Sequence, residues 1–473
     1  MLGRNQSEPA LFQMVDLEAL VPEDHWLRKL DAVLDLSFVE EEVADFYSES
    51  MGRPGINPEL AVRMMLLARL YDLSDRELCQ EIQMHAGMRW FCRLNFHDPV
   101  PDHSTLSRLR NERWAESGLF ERLMDEVIRQ CCEAGLVSGS HLSVDGSEVA
   151  ADASMKSMVR RGPRRPPDRD PPSPPPPDGS GEEPQPKGEW KGRGEKYRNA
   201  SHFSTTDPDA RLYRKSHQKG AGLKYLTHDL IDTKSCVILR RKVTKAGSTA
   251  ERDAALEMLD EVLEAQEDLG LLNRPEILTG DTGYGSTDLV TSLLERDILP
   301  HIPLLAEPDL EALPTWKNRT SNLDWLRARK RKVAEAEARN RVREAMKSRG
   351  YHVSRKLRIR SEHLFAEGKN LHGLGRARYR GRQRVQVQAT LTAVVQNLKR
   401  LVAFRGRRGR GGVAEALGTG DRRTIAPYAC SIALLFGMIG RAAGWSHRSL
   451  SVWARRCRKK ISLLYPTAAH IGS

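Results

Sequence analysis

The first third of the chain carries apolar residues at the three- and four-residue intervals that are typical of α-helices, so residues 17–135 predict an all-α region. Residues 58–71 are apolar on more than one side, which indicates a buried helix with a proline at its start. Ser74 and Glu77 form a capping-box pattern, and a second short helix follows after Gly87. This pair predicts a helix-turn-helix arrangement, although a small bundle without a DNA-binding role has the same spacing.

From about residue 141 the pattern changes to short β-branched runs. Leu142 and Val144 predict a strand that stops at Asp145, with the carboxylate facing solvent. Residues 207–247 are β-rich in pattern, and strands then alternate with helices, one of which begins at a capping box formed by Ser248 and Glu251. This order predicts a mixed α/β sheet.

Two stretches interrupt the α/β pattern. Residues 163–186 contain eleven prolines among polar residues, which predicts an extended or disordered linker over about 157–200. Residues 306–350 are rich in Arg, Lys, Glu and Ala and predict an inserted, well-solvated helix. Helical apolar spacing returns over 387–402, which indicates a core helix that closes the domain.

These shifts predict three parts: an all-α domain over 1–140, an α/β domain over 141–402, and a basic extension of unknown role over 403–473. The extension contains an apolar run of fifteen residues, 426–440. A bilayer-spanning helix needs roughly 20 residues, so we interpret this run as a buried helix.

Composition narrows the class of partner. Lys and Arg number 75 against 63 Asp and Glu, a formal net charge of +12, which favours a polyanionic partner, nucleic acid before acidic membrane. Seven cysteines without a CxxC pair argue against both a disulfide framework and a zinc site. The first residues lack a secretory signal pattern, so a cytoplasmic location without membrane association is expected.

Two aspartates follow apolar runs directly. Asp145 precedes Gly146, and Asp281 follows Gly280 after the run that contains Leu278. Taken singly, an aspartate beside a glycine is as readily a turn residue. Together, two carboxylates at two strand ends are what a hard divalent cation needs.

A third acid stands downstream in a spaced group. Arg358, Glu362 and Lys369 are separated by three and then six residues. Ser361 is a plausible N-cap, so Glu362 is expected to open a helix on which Lys369 returns to the same face after two turns.

This combination resembles the DDE transposases of bacterial insertion sequences, from about Leu17 to about Val402. The resemblance includes the order of the DG and GD aspartates and the Arg, three residues, Glu, six residues, Lys spacing. The phrases VPEDHWLR, GRPGINPEL and PDHSTLSRLR resemble the family's N-terminal helical domain, which is thought to bind transposon ends. Family members often carry a tyrosine where this chain has Arg355.

The resemblance implies a ribonuclease H-like catalytic domain preceded by an all-α N-terminal domain. It implies a DNA transposase that binds insertion-sequence ends, cleaves phosphodiester bonds and transfers strands. Asp145, Asp281 and Glu362 would be catalytic and hold two Mg²⁺ ions, with Mn²⁺ as a substitute. Expected partners are double-stranded DNA, as terminal inverted repeats and target, and further copies of the chain in a dimer or higher oligomer on that DNA. Expected DNA contacts are Arg358, Lys369, Arg108 and Arg110, and Tyr284 is expected to contact a displaced base.

Three alternatives remain open from the sequence. A ribonuclease H-like nuclease would keep the acids and only hydrolyse DNA, and a transposase-derived regulator would bind DNA without cutting it. A nucleotide-binding enzyme using GDTGYGS fits least, because this segment lacks the Lys and Ser or Thr of a P-loop.

Overall fold

The computed structural model describes residues 16–48, 51–52, 55–161, 197–214, 220–247, 249–304, 309–316 and 322–416. Most of the predicted proline-rich linker and the apolar run at 426–440 lie outside these residues. The chain divides into two units, Met1–Arg408 and Gly409–Ser473, and every core and site residue discussed below belongs to the first.

The predicted all-α region is confirmed. In the described residues its α-helices are α1 (Leu17–Leu20), α2 (Trp26–Asp31), α3 (Val39–Val43), α4 (Pro58–Leu70), α5 (Asp75–Met84), α6 (Ala86–Phe91), α7 (His103–Arg108) and α8 (Leu119–Glu133). A π-helical turn, Leu109–Arg113, continues α7. As the apolar pattern predicts, α4 is buried around its circumference, with every residue from 61 to 69 inaccessible to solvent.

Local side chains set the helix starts. Asn57 caps α4 by accepting a hydrogen bond from the backbone N–H of Leu60, with Pro58 in the first turn. The capping box at α5 is present, because Ser74 and Glu77 bond each other's backbone N–H. The break between α5 and α6 falls at His85, whose extended backbone ends one helix and whose Nδ1 caps the next, and Gly87 lies within α6. The prediction of a glycine turn at this point is therefore wrong by two residues.

A six-stranded mixed sheet follows the helices. The strands of the described chain are β1 (His141–Ala150), β2 (Met158–Arg160), β3 (His202–Ser204), β4 (Arg211–Tyr213), β5 (Gly222–Asp232), β6 (Ile238–Lys245), β7 (Ile277–Thr279) and β8 (Leu299–His301). The main sheet runs β4-β5-β1-β7-β8, with β6 also on β5, while β2 and β3 form a separate ribbon. The β6-β5-β1 pairs are antiparallel and the β1-β7-β8 pairs are parallel. This order confirms the mixed α/β, ribonuclease H-like fold.

The remaining helices pack around this sheet: α9 (Ala250–Glu264), α10 (Thr287–Glu295), α11 (Leu323–Met346), α12 (Arg349–Leu371) and α13 (Arg382–Ala416). The predicted charged insertion forms the helix α11. On one side of this helix, Ala338 and Val342 are buried and pack against Val290 of α10. The predicted core helix is α13, whose apolar residues from Val387 to Val402 are buried.

One continuous core joins helices α2 to α8 to the sheet. It includes Leu66 of α4, Val127 of α8, Leu142 of β1 and Leu398 of α13. At residue 140 the secondary structure therefore changes from helices to strands within one packed unit. That residues 1–140 and 141–402 have different functions stays a prediction. Among the described residues, no helix combines the length and apolar character that crossing a membrane requires.

Candidate active site

Asp145 lies in the middle of β1 and not at its end. The strand continues to Ala150 because β5 pairs with it over its whole second half, down to Lys224. The carboxylate is also not solvent-facing, since the residue is only 9% exposed. The predictions of a strand end and a solvent-facing carboxylate at Asp145 are therefore wrong.

Three donors surround the Asp145 carboxylate. The Ser361 hydroxyl donates to Oδ2 at 2.8 Å, and the backbone N–H of Gly146 donates to Oδ1 at 2.9 Å. The Arg358 guanidinium stands 3.5 Å from Oδ2. Burial raises the pKa of Asp145, and the negative charge of Asp281 raises it further. The hydrogen bonds from Ser361 and Gly146 and the positive charge of Arg358 act in the opposite direction.

Asp281 follows β7 after one glycine and comes alongside Asp145. The parallel register pairs Ser143 with Thr279, so each aspartate stands two residues beyond that pair. Asp281 Oδ1 accepts the backbone N–H of Gly283 at 2.8 Å and caps the 3₁₀ turn Thr282–Tyr284. A side chain at position 280 would be tightly packed, because a Cβ would stand 3.2 Å from the Tyr284 ring and 3.3 Å from Val144.

Glu362 and Arg358 lie on α12, which crosses β1. The helix begins at Arg349, capped by Ser348, so Glu362 stands deep inside it. Ser361 is therefore not an N-cap; it is buried and donates to Asp145 and to the Arg358 carbonyl, each at 2.8 Å. The prediction that Glu362 opens a helix is wrong, and Arg358 precedes Glu362 by about one turn on the same helix, with 3.5 Å between the charged groups.

Arg358 lies beside two of the three predicted acids, and the third lies near Asp145. Arg358 stands 3.5 Å from both Asp145 and Glu362, and Asp281 lies close enough to Asp145 to influence its pKa. All donors are carboxylate oxygens, which suit a hard cation such as Mg²⁺. Within the described chain, however, no three His, Cys, Asp or Glu side chains stand close enough to enclose a metal ion. Glu362, with 62% of its side chain exposed, is the acid least restrained by its surroundings.

The predicted DNA-contacting cations fall in different surroundings. Lys369 lies two turns beyond Glu362 on α12, as predicted, and lines a cleft of about 640 Å³ with Arg376, Arg378 and Asp152. Arg108 is exposed at the end of α7.

Arg110 contradicts its predicted role in DNA contact. It is 2% exposed, and its Nη1 and Nη2 donate to Asp75 at 3.1 and 2.7 Å. Its guanidinium also stacks on Tyr379, 4.1 Å from the ring centroid. A guanidinium enclosed in this way is a structural ion pair between α5 and the end of α7, and it has no surface to offer to a phosphate.

Tyr284 is another correction. It is 1% exposed and belongs to the main core, so it cannot contact a displaced base as predicted. Burial raises the pKa of Tyr284 well above its ordinary value, and the negative charges of Glu251, Asp145 and Asp281 add to that rise. The tyrosine hydroxyl therefore lies in the field of the acidic site.

Sequence reasoning missed Glu251 as a site residue. Its spacing from Ser248 indicates a capping box, yet α9 begins at Ala250 with Thr249 at the N-cap position and no side-chain cap, and Ser248 lies outside the described residues. In the fold, Glu251 Oε1 lies 3.6 Å from the point where a Cβ of Gly146 would stand, and Glu251 Oε2 lies 3.7 Å from the corresponding point at Gly283, in the turn that Asp281 caps. No local pattern marks this proximity, because α9 reaches the site only through its packing on β5 and β6.

Two family models match this chain. A transposase domain (DUF772) matches residues 15–112, and a transposase DDE domain matches residues 198–398. Together they span well over half of the chain and cover both the helical region and the acids at 281 and 362.

Solved structures with similarity to this chain include a Mos1 mariner paired-end complex with Mn. It is 13% identical, over 69% of this chain and 84% of that one, with a TM-score of 0.18. A second match is a Mos1 paired-end complex with the left transposon end, 13% identical over 69% of this chain and 83% of that one, with a TM-score of 0.18. A third is the Mos1 strand transfer complex, 12% identical over 66% of this chain and 81% of that one, with a TM-score of 0.17. Since TM-scores of this size carry no detailed argument, the assignment depends on the two family matches: the chain belongs to the DDE-type transposases of insertion sequences and has the family's N-terminal domain.

Proposed function

We propose that this transposase binds the ends of its insertion sequence as duplex DNA, cleaves a phosphodiester there and joins the freed 3′ end to target DNA. One observation supports this proposal: Asp145 of β1 and Glu362 of α12 each lie 3.5 Å from Arg358, and Asp281, which follows β7 beside β1, lies close enough to Asp145 for its charge to raise the pKa of Asp145. Both matching family models are transposase domains, and the formal net charge of +12 favours a polyanionic partner such as DNA.

The proposed cofactor is a pair of Mg²⁺ ions, for which Mn²⁺ substitutes; one similar structure contains Mn. When bound, such ions neutralise charge on the attacking and leaving oxygens of an in-line displacement. Asp145 would contact both ions, Asp281 one and Glu362 the other. Mg²⁺ retains water ligands and takes phosphate oxygens of the substrate, so a few protein carboxylates suffice.

The chain's own residues orient these acids. Ser361 and the Gly146 N–H fix the two oxygens of Asp145, and the fixed carboxylate offers its remaining lone pairs in one direction. Arg358 balances the charge of Asp145 and Glu362 when the acids stand without other cations. The same guanidinium can grip a phosphate oxygen once those carboxylates are otherwise engaged.

The DNA-binding surface that we propose combines Arg108, Lys369 and the basic start of α11, including Arg327 and Lys332. These residues are exposed or half-buried. They supply charge for phosphate contact, which positions a duplex without reading its sequence.

The test is cleavage and strand transfer with duplex carrying the element's end, labelled at its 3′ terminus, in Mg²⁺ or Mn²⁺. We expect wild-type protein to produce both a cut end and a joined product. Asp145→Asn, Asp281→Asn and Glu362→Gln should each lower the cleavage rate about 1,000-fold or more, roughly 4 kcal/mol of barrier. Binding of the end should stay within a few-fold of wild type.

Glu337→Gln is the matched control, because Glu337 is an exposed acid on α11. A cut end without any joined product would show a nuclease, and end binding without cleavage would show a regulator. Wild-type cleavage by any of the three acid variants would place the catalytic site elsewhere.

A further inference from the structure

A small polar niche lies above Gly146 of β1. The point where a Cβ would stand is 3.2 Å from His228 Nδ1, 3.4 Å from the Tyr284 hydroxyl and 3.6 Å from Glu251 Oε1. His228 is the direct partner of Gly146 across the β1-β5 pair. The three polar groups come from three different elements and surround the space beside Gly146, which has no side chain to fill it. They belong to β5, to the turn after β7 and to α9.

Two of these polar atoms have no hydrogen-bond partner among the described residues. His228 Nδ1 and the Tyr284 hydroxyl are both unpaired, and their residues are 0% and 1% exposed. The other ring nitrogen of His228 bonds the Thr244 hydroxyl at 2.8 Å. Leaving a buried polar atom unpaired costs roughly 1 to 3 kcal/mol, so these two atoms point to something polar that fills the niche.

Glu251 connects the niche to the catalytic acids. Its Oε2 lies 3.7 Å from the position that a Cβ of Gly283 would take, and Asp281 Oδ1 lies 3.0 Å from the same point. The carboxylates of Glu251 and Asp281 therefore both lie beside the space that a side chain at position 283 would occupy. Their mutual repulsion is relieved by a cation between them.

We propose that Glu251 is a fourth carboxylate of the site, which shares with Asp281 a hard divalent cation. Water ligands of that cation would hydrogen-bond His228 Nδ1 and the Tyr284 hydroxyl above Gly146. Mg²⁺ and Mn²⁺ are bound by one or two carboxylates and retain waters, so two acids suffice although the described residues contain no group of three His, Cys, Asp or Glu that could hold a metal ion. This inference depends on the proposed function, since Asp281 is one of its three acids.

The test counts ions on the full-length protein. Metal-free wild type and Glu251→Gln would be titrated with Mn²⁺, and the free ion measured by electron paramagnetic resonance. We expect Glu251→Gln to weaken one Mn²⁺ site at least tenfold and to reduce the rise in Tm that Mn²⁺ produces. Glu264→Gln, at the exposed far end of α9, should bind as wild type does.

Tyr284→Phe gives a second reading that keeps every carboxylate and the buried ring. It should weaken the same Mn²⁺ site several-fold by removing a partner of the bound water. If both variants bind Mn²⁺ with wild-type affinity and number, the niche holds a structural water only and the inference is overturned. If Glu251→Gln does not fold, Tyr284→Phe decides alone.

The two proposals fail separately. Inactive Asp145→Asn and Glu362→Gln together with unchanged Mn²⁺ binding by Glu251→Gln would reject the fourth carboxylate and leave the transposase site intact. Active Asp145→Asn and Glu362→Gln would reject the proposed site itself.

Discussion

Asp145 is a buried carboxylate whose pKa and orientation are both set by its neighbours. A carboxylate that is 9% exposed would favour its neutral form, because burial raises its pKa. The Ser361 hydroxyl and the Gly146 N–H act in the opposite direction and also hold the two oxygens in place. The acid is therefore oriented by neighbours that belong to α12 and to its own strand.

Lys369 is the residue with the sharpest prediction for DNA. It lies two turns from Glu362, beside the cleft that also contains Arg376. Lys369→Ala should raise the barrier to cleavage by roughly 1 to 3 kcal/mol, about 5- to 150-fold in rate, through loss of a charge-assisted bond to phosphate. Cleavage of pre-formed protein–DNA complexes across a Mg²⁺ titration measures this effect, and the Mg²⁺ dependence should not change.

Lys356→Ala is the matched control for Lys369→Ala. Lys356 is exposed on the same helix, thirteen residues earlier and therefore on a different face. Equal losses from the two lysines would indicate a general charge effect and not a specific phosphate contact.

Arg108 and Arg110 form a natural pair for a test of burial. Arg110→Ala would leave Asp75, its bidentate partner, without a cation and should lower the free energy of unfolding by roughly 3 kcal/mol. Arg108→Ala removes an exposed charge and should leave Tm within a degree or two, yet weaken DNA binding. Thermal melts and DNA titrations of both variants measure this; equal Tm for the two would contradict the buried ion pair.

At the scale of elements, α12 is held to both the sheet and α13. Glu367 points away from the acidic site, as its helical angle relative to Lys369 predicts. It does not, however, face solvent: it pairs with Lys399, with Arg400 at 2.8 Å and with Gln396 at 3.2 Å. Glu367→Ala would break these contacts, so Lys356→Ala and not Glu367→Ala is the control for Lys369→Ala.

The Glu367 network makes stability depend on pH. Burial alone raises the pKa of Glu367, but the hydrogen bond with His372 and the charges of Arg400 and Lys399 outweigh it and lower that pKa far below its ordinary value. A depressed folded-state pKa contributes stability above the unfolded pKa, near about 4.3, and loses it as pH falls further. Glu367→Gln should lower the free energy of unfolding by roughly 1.5 to 3 kcal/mol at pH 7.

Melting curves of wild type and Glu367→Gln between pH 7 and pH 3 check this prediction. The difference in Tm should be constant down to about pH 5 and should shrink below about pH 4.3. A difference that does not change with pH would assign the loss to packing and not to charge.

At the scale of the whole molecule, the net charge of +12 predicts a strongly salt-dependent interaction with DNA. The logarithm of the binding constant should fall linearly with the logarithm of salt concentration, with a slope of about 0.9 for each phosphate contact. Equilibrium binding of an end duplex over about 50 to 300 mM salt measures the slope. An affinity that does not change with salt would remove the argument that a basic surface binds the duplex.

The sequence by itself determined much of this architecture. Helical spacing with capping residues such as Ser74 and the strand alternation are local signals, because each depends on residues within a few positions of one another. The order of Asp145, Asp281 and Glu362 as one catalytic set comes instead from the family resemblance. The seven-residue spacing of Glu362 and Lys369 predicts one helix face, and both residues lie on α12, although the helix begins at Arg349 and not after a cap at Ser361.

Tertiary structure decided the features that depend on pairing across long stretches of chain. Pairing with β5 extends strand β1 past Asp145. Because α12 packs across β1, the Ser361 hydroxyl donates a hydrogen bond to the Asp145 carboxylate and does not cap a helix. Packing likewise buries Arg110 and Tyr284 and brings Glu251 beside Asp281. Local spacing cannot report such neighbours, because burial and contact across the sheet depend on which surfaces the folded chain brings together.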